Sequence, residues 1–131
     1  MLDAATQRPK LRLIRPIRVL VVSRDRRFLG LARFLLSRDG LDVDTTTRPG
    51  DLFESVQRGE VDVVVMDATG ALGASARAAA ELEALYPDLG VIVVADEPEP
   101  YARALPALPK WRGLEQLADV VRRSYLRLSP A

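Results

Sequence analysis

Short apolar runs rich in β-branched residues recur along the chain, and segments of helical period separate them. Ile17 to Val22 predicts a first strand. Arg26 to Arg38 follows, with Phe28, Leu31, Ala32 and Leu35 spaced as one helical face and Gly40 placed for a left-handed cap. Leu41 to Thr46 alternates apolar and polar residues, so a strand there buries one face only, as an edge strand does. Asp51 is placed to cap a short helix ending near Gly59. Val61 to Met66 is almost all valine, which predicts a central strand covered on both faces and ending at Asp67. Ala74 to Leu85 reads as a third helix with Ala78, Leu82 and Leu85 in register, stopped by Pro87. Val91 to Val94 is a fourth strand. Between Asp96 and Pro106 the prolines at 98, 100 and 106 leave room for about two helical turns, around Tyr101 to Leu105. A short fifth strand falls near Ala107 and Leu108. The last helix runs from Leu114 to about Leu126, with Leu114, Leu117, Ala118 and Val121 inward and Arg122, Arg123 and Arg127 outward or near its end.

Such alternation is the pattern of an α/β domain with a doubly wound parallel sheet, in which ligands gather beyond the carboxyl ends of the strands. The loops after Val22, Met66, Val94 and Leu108 are therefore where chemistry belongs. The 131 residues make one domain, at 17–128, preceded by a basic arm at 1–16. The longest apolar stretches, Val63 to Met66 and Val91 to Ala95, are far short of the roughly 20 residues of a membrane-spanning helix. The first residues carry arginines and prolines where a signal peptide needs an apolar stretch, so a cytoplasmic location is expected.

Charge changes the picture at one end. The net charge is +1, yet residues 1–27 hold eight Lys or Arg against two Asp, a balance of +6, leaving eleven against sixteen, or −5, for the remainder. An arm with Arg8, Lys10, Arg12, Arg15 and Arg18 suits nucleic acid or an acidic partner. No aromatic residue interleaves these charges, which disfavours nucleic acid and favours a solvated leader.

Absent residue types exclude more than present ones suggest. Without cysteine there is no disulfide, thiolate nucleophile or zinc ribbon, and without histidine the commonest general base and metal ligand are missing. Carboxylates, hydroxyls, two lysines and seventeen arginines remain, a set suited to phosphate or Mg2+ rather than acyl transfer.

The strand ends carry a resemblance. Ile17-Arg-Val-Leu-Val-Val, Val61-Asp-Val-Val-Val-Met-Asp67, Pro87-Asp-Leu-Gly-Val-Ile-Val-Val-Ala95, and Ala107-Leu-Pro-Lys110 followed by Gly113-Leu-Glu-Gln-Leu together resemble the receiver domain of bacterial response regulators. The resemblance spans residues 17 to about 127 and implies a flavodoxin-like five-stranded sheet of order 2-1-3-4-5, with helices on both faces and a shortened fourth helix between the last two strands. It implies that Asp67 stands where the family's phosphoacceptor stands and Lys110 where its lysine stands. Metal and ammonium would neutralise the transferred phosphoryl group in such a site. Elsewhere the chain departs from the family. Ser23 and Arg24 replace the acidic pair that holds Mg2+, leaving Asp25 one place later; Ala95 replaces the hydroxyl; Ala107 replaces the aromatic; Trp111 replaces the proline after the lysine.

These departures predict a non-enzymatic pseudo-receiver that acts through protein–protein contact, without cofactor beyond weak Mg2+ at Asp25 and Asp67. Arg24 is placed either to pair with Asp67 or to lie free on the surface. Expected partners are another signalling protein, a kinase or a separate output protein, or a second copy of the chain in a homodimer. Two alternatives stand beside this: a working phosphoacceptor at Asp67 with Mg2+, and a binder of nucleic acid or an acidic partner through the arm. Thr69-Gly-Ala-Leu-Gly73 lacks the pattern and the lysine of a phosphate loop and reads as a plain connection. Trp111 suits either a partner-binding anchor or packing beneath the shortened helix.

Overall fold

The computed structural model describes residues 15–69, 74–98, 100 and 105–128. Five parallel strands, β1 (Arg18–Val22), β2 (Asp42–Thr46), β3 (Val63–Asp67), β4 (Gly90–Ala95) and β5 (Ala107–Pro109), form one sheet of order β2-β1-β3-β4-β5. The helices are α1 (Arg26–Arg38), α2 (Pro49–Gln57), α3 (Ala74–Leu85) and the last helix, α4 (Leu117–Leu128), which a 3-10 turn at Leu114–Gln116 introduces. This is the doubly wound arrangement expected from the alternation. Residues 1–14 of the arm, the connection at 70–73, the turns around Tyr101 to Leu105 except Leu105 itself, and the side chain of Arg127 lie outside the described residues.

Strand periodicity divides the core in two. Val19, Val21, Val63, Val65, Ile92 and Val94 point to one face and pack with Phe28, Leu36, Leu117 and Val121 of α1 and α4. Leu20, Val22, Val64, Met66, Val91 and Val93 point to the other and pack with Leu52 of α2 and Leu82 of α3. The valine runs of β3 and β4 are buried throughout, and β3 ends on Asp67, whose main chain is partly exposed but whose side chain is enclosed, whereas β2 shows the alternation of an edge strand.

Helix phases differ from expectation in three places. The buried stripe of α1 is Phe28, Leu29, Ala32 and Leu36, while Leu31 is 46% exposed and Leu35 only half-buried. So many of its positions are apolar that its wheel offers more than one stripe, and the packing against β1, β2 and α4 selects among them. In α3, Ala79 and Leu82 are buried but Leu85 is exposed, one residue before the chain turns at Tyr86. Arg122 of α4 is half-buried, not outward, because its guanidinium donates to the Asp39 carbonyl at the end of α1.

The caps also sort themselves. Gly40, at φ 87°, has the left-handed conformation anticipated for it and lets Leu41 N–H reach back to the Leu36 carbonyl. Asp51 is not the cap of α2. Arg48 holds that position without a side-chain bond, and Asp51 sits in the first turn accepting a hydrogen bond from Thr46 Oγ1 at 2.9 Å. Pro49 at the first helical position starts the helix instead, since its missing N–H would have had no partner there. Among the described residues no helix is long and apolar enough to cross a membrane.

Candidate functional site

Parallel pairing brings the carboxyl ends of the strands to one edge, because Val22 lies beside Met66, Asp67 beside Val94, and Ala95 beside Pro109. Four side chains from three strand ends meet there. Ser23, directly after β1, is buried and donates from Oγ to Asp67 Oδ2 at 2.6 Å. Lys110, directly after β5, places Nζ 2.9 Å from the same Asp67 Oδ2 and 3.1 Å from Asp25 Oδ2. The second oxygen of Asp67 accepts the Thr69 N–H at 2.9 Å. The second oxygen of Asp25 accepts the Arg27 and Phe28 N–H groups, capping α1, and the Asp25 N–H donates to Ser23 Oγ at 3.0 Å.

Backbone geometry aims Lys110 inward. Its N–H donates to the Ala95 carbonyl, and the following turn closes when Gly113 N–H reaches the Pro109 carbonyl. A Cβ on Gly113 would lie 2.5 Å from that carbonyl oxygen, so only glycine permits the turn. Above the ammonium, Phe28 and Trp111 place their rings 5.4 and 5.3 Å from Nζ and meet each other edge to face at 5.6 Å.

The charges are mutually dependent. Burial by itself pushes the Lys110 pKa down, but hydrogen bonds to Asp67 and Asp25 outweigh it and hold the ammonium above its ordinary 10.5. The hydrogen bond from Lys110, followed by that from the Phe28 N–H, holds the Asp25 carboxyl below its ordinary 3.8. The side chains of Lys110 and Asp67 are 6% and 5% exposed, so this pair is little screened by solvent.

No family model matches the chain, nor does any curated protein. Solved structures do match. A response regulator from Thermotoga maritima superposes with a TM-score of 0.74 at 19% identity, over 86% of this chain and 99% of that one. A response regulator receiver domain protein from Clostridium thermocellum gives 0.69 at 20% identity, over 85% and 95%. An atypical orphan response regulator, for which a phosphorylation-independent regulatory mechanism is described, gives 0.71 at 18% identity, over 84% and 96%. The chain has the response-regulator receiver fold.

On the receiver fold, Asp67 and Lys110 fall together at the strand ends, as the resemblance implies, and Asp25 joins them. Arg24 does not. It is exposed and forms no ion pair among the described residues, so the alternative of an Arg24–Asp67 pair gives way to Lys110–Asp67. Ser23 points inward after the strand, which turns its neighbour outward. Ala95 is buried at the end of β4 and Ala107 is half-buried in β5, both without a polar group to offer Asp67. Trp111 is 43% exposed and packs on Phe28 at the rim of the site. Two participants escape a reading of the sequence. Ser23 registers there only as a missing acid, and Phe28 only as a core residue; the signal available for the first was a hydroxyl directly after a strand and two residues before a helix cap.

Among the described residues no three His, Cys, Asp or Glu side chains gather as a metal would require.

Proposed function

We propose that the protein is a receiver-type signalling domain that works through protein–protein contact and does not depend on phosphorylation of Asp67. The supporting observation is the Lys110 ammonium between Asp25 and Asp67, with Ser23 donating to the same carboxylate oxygen. Ser23 and Lys110 both engage Asp67 Oδ2 and the Thr69 N–H engages Oδ1, so the carboxylate is held by three donors of this chain, which lowers its nucleophilicity toward a phosphoryl group. Mg2+ demands about six oxygen ligands in near-octahedral geometry. Water can supply most of those ligands and one or two carboxylates the rest, but here the Lys110 ammonium lies between the Asp25 and Asp67 carboxylates and occupies an oxygen of each, so no step is assigned to a metal. The site reads instead as a latch that ties β1, β3, β5 and the start of α1 together without a metal ion. An atypical orphan regulator of the same fold is precedent for regulation independent of phosphorylation.

On this reading the partner is another signalling protein, a kinase or a separate output protein, and the domain spans residues 17–128. The retained Asp67–Lys110 pair is the one observation that favours a working phosphoacceptor instead.

Acetyl phosphate with Mg2+, followed by intact mass, decides between them. The unaltered protein is expected to gain no phosphoryl mass, whereas stoichiometric labelling of Asp67 overturns the proposal. Ser23→Asp adds a carboxylate directly beside Asp67, and Arg24→Asp replaces an exposed cation near it by an acid; together they should recover Mg2+ binding in titration calorimetry or through the fluorescence of Trp111, the sole tryptophan. Ala95 and Ala107 should still prevent a large conformational response to labelling.

A further inference from the structure

A second polar feature lies away from Asp67. Between α1, the end of β2 and the start of α2 runs an open groove of about 540 Å³, walled by Arg26 and Arg33 on one side and by Arg48 on the other. Thr45, Thr46 and Thr47 line it between them. Arg26 and Arg33 have no ion-pair or hydrogen-bond partner among the described residues, and the Thr45 and Thr47 hydroxyls likewise have none. The single acid in the lining is Asp51, which accepts from Thr46 Oγ1 and lies 4.0 Å from Arg48 Nε, at the outer limit of an ion pair. Three arginines against one aspartate leave the groove with a charge of +2. None of Asp25, Asp67 and Lys110 takes part.

The floor of the groove carries an independent sign. Gly30 occupies the middle of α1 between Arg26 and Arg33, at the i, i+4, i+7 spacing that aligns all three on one face. Glycine weakens a helix interior relative to alanine. No packing explains it here, since a Cβ at Gly30 would meet nothing within 4 Å. What the missing side chain does preserve is open space between two unpaired guanidiniums.

We propose that this groove binds a small, extended polyanion carrying two or more phosphoryl groups. Guanidinium forks match phosphoryl oxygens in pairs, and threonine hydroxyls donate to those left over. Arg26 and Arg33 are seven residues apart, about 10 Å along the helix, which gives room for two phosphoryl groups side by side. No aromatic residue lines the groove, so the phosphoryl chain supplies the recognition and a stacked base does not.

Titration calorimetry on the full chain at constant ionic strength tests this with tripolyphosphate as the probe. One tripolyphosphate per chain is expected, bound at least tenfold more tightly than orthophosphate or citrate. Arg26→Ala and Arg33→Ala should each weaken it at least tenfold, and Arg123→Ala, on α4 away from the groove, should not change it. Gly30→Ala and Gly30→Leu should raise the melting temperature while weakening binding, the leucine more strongly. The proposal is overturned by orthophosphate or citrate binding as tightly as tripolyphosphate. It is equally overturned by full affinity in a folded Arg33→Ala variant, or by a single-stranded oligonucleotide of equal phosphate content that binds more tightly and displaces the probe.

Discussion

The two ends of β1 and β3 carry mirror-image charge clusters. At the carboxyl ends one cation, Lys110, lies between two carboxylates; at the amino ends one carboxylate, Asp62, lies between Arg18 and Arg15. A single register produces both. Val19 pairs with Val63, an offset of 44, so Arg18 meets Asp62 just before the paired residues and Ser23 meets Asp67 just after them. Burial separates the two. Each end holds an enclosed aspartate, Asp67 at 5% and Asp62 at 12% exposed, but the cation Lys110 is enclosed as well, whereas Arg18 and Arg15 are 32% and 48% exposed. Similar charge arithmetic therefore has different consequences: breaking the enclosed cluster strands a charge in a dry site, while the open one can exchange its partners for water.

The largest expected effect follows from that contrast. Lys110→Ala should cost about 3 kcal/mol or more in urea unfolding, because Asp67 would stay buried without its cation. Lys110→Met combined with Asp67→Leu should recover most of that loss, since removing both charges leaves none unpaired. A small cost for the single variant would show that water reaches Asp67 and would erase the distinction between the two ends.

pH should separate them next. The contribution of Lys110 is complete below 10.5 and is lost as pH rises through its raised native value, because the unfolded chain releases its proton first. That of Asp25 is complete above 3.8 and is lost as pH falls through its lowered native value. Thermal melts of Lys110→Ala across pH should therefore lose the alkaline decline and show a weaker acid one. Identical profiles in variant and parent would remove Lys110 as the source.

At the amino ends the effects are smaller. Asp62→Ala should cost about 1 kcal/mol, mostly through the hydrogen bond that Asp62 Oδ2 accepts from the Arg18 N–H at 2.8 Å. Arg15→Ala should cost under about 0.5 kcal/mol, and molar salt should abolish even that. A salt-resistant loss at Arg15 would mean that the open cluster is drier than its exposure indicates.

Much of this molecule can be read along the chain. The β-branched runs place every strand to within two residues, Gly40 ends α1, and Asp67 and Lys110 stand at strand ends, because strand period, helix breakers and turn chemistry are local properties of neighbouring residues. Which apolar stripe of α1 faces inward was beyond such reading, since the choice depends on the surface of β1, β2 and α4 against which it packs. So was the fate of Asp51, which lies inside the first turn because α2 starts at Pro49, and there accepts from Thr46. The latch itself joins Ser23 to Asp67 across 44 residues and Lys110 to Asp25 across 85. Those contacts exist only once parallel pairing has aligned the strand ends, so residue types reveal the candidates while the sheet register alone decides that Lys110, and not Arg24, reaches Asp67.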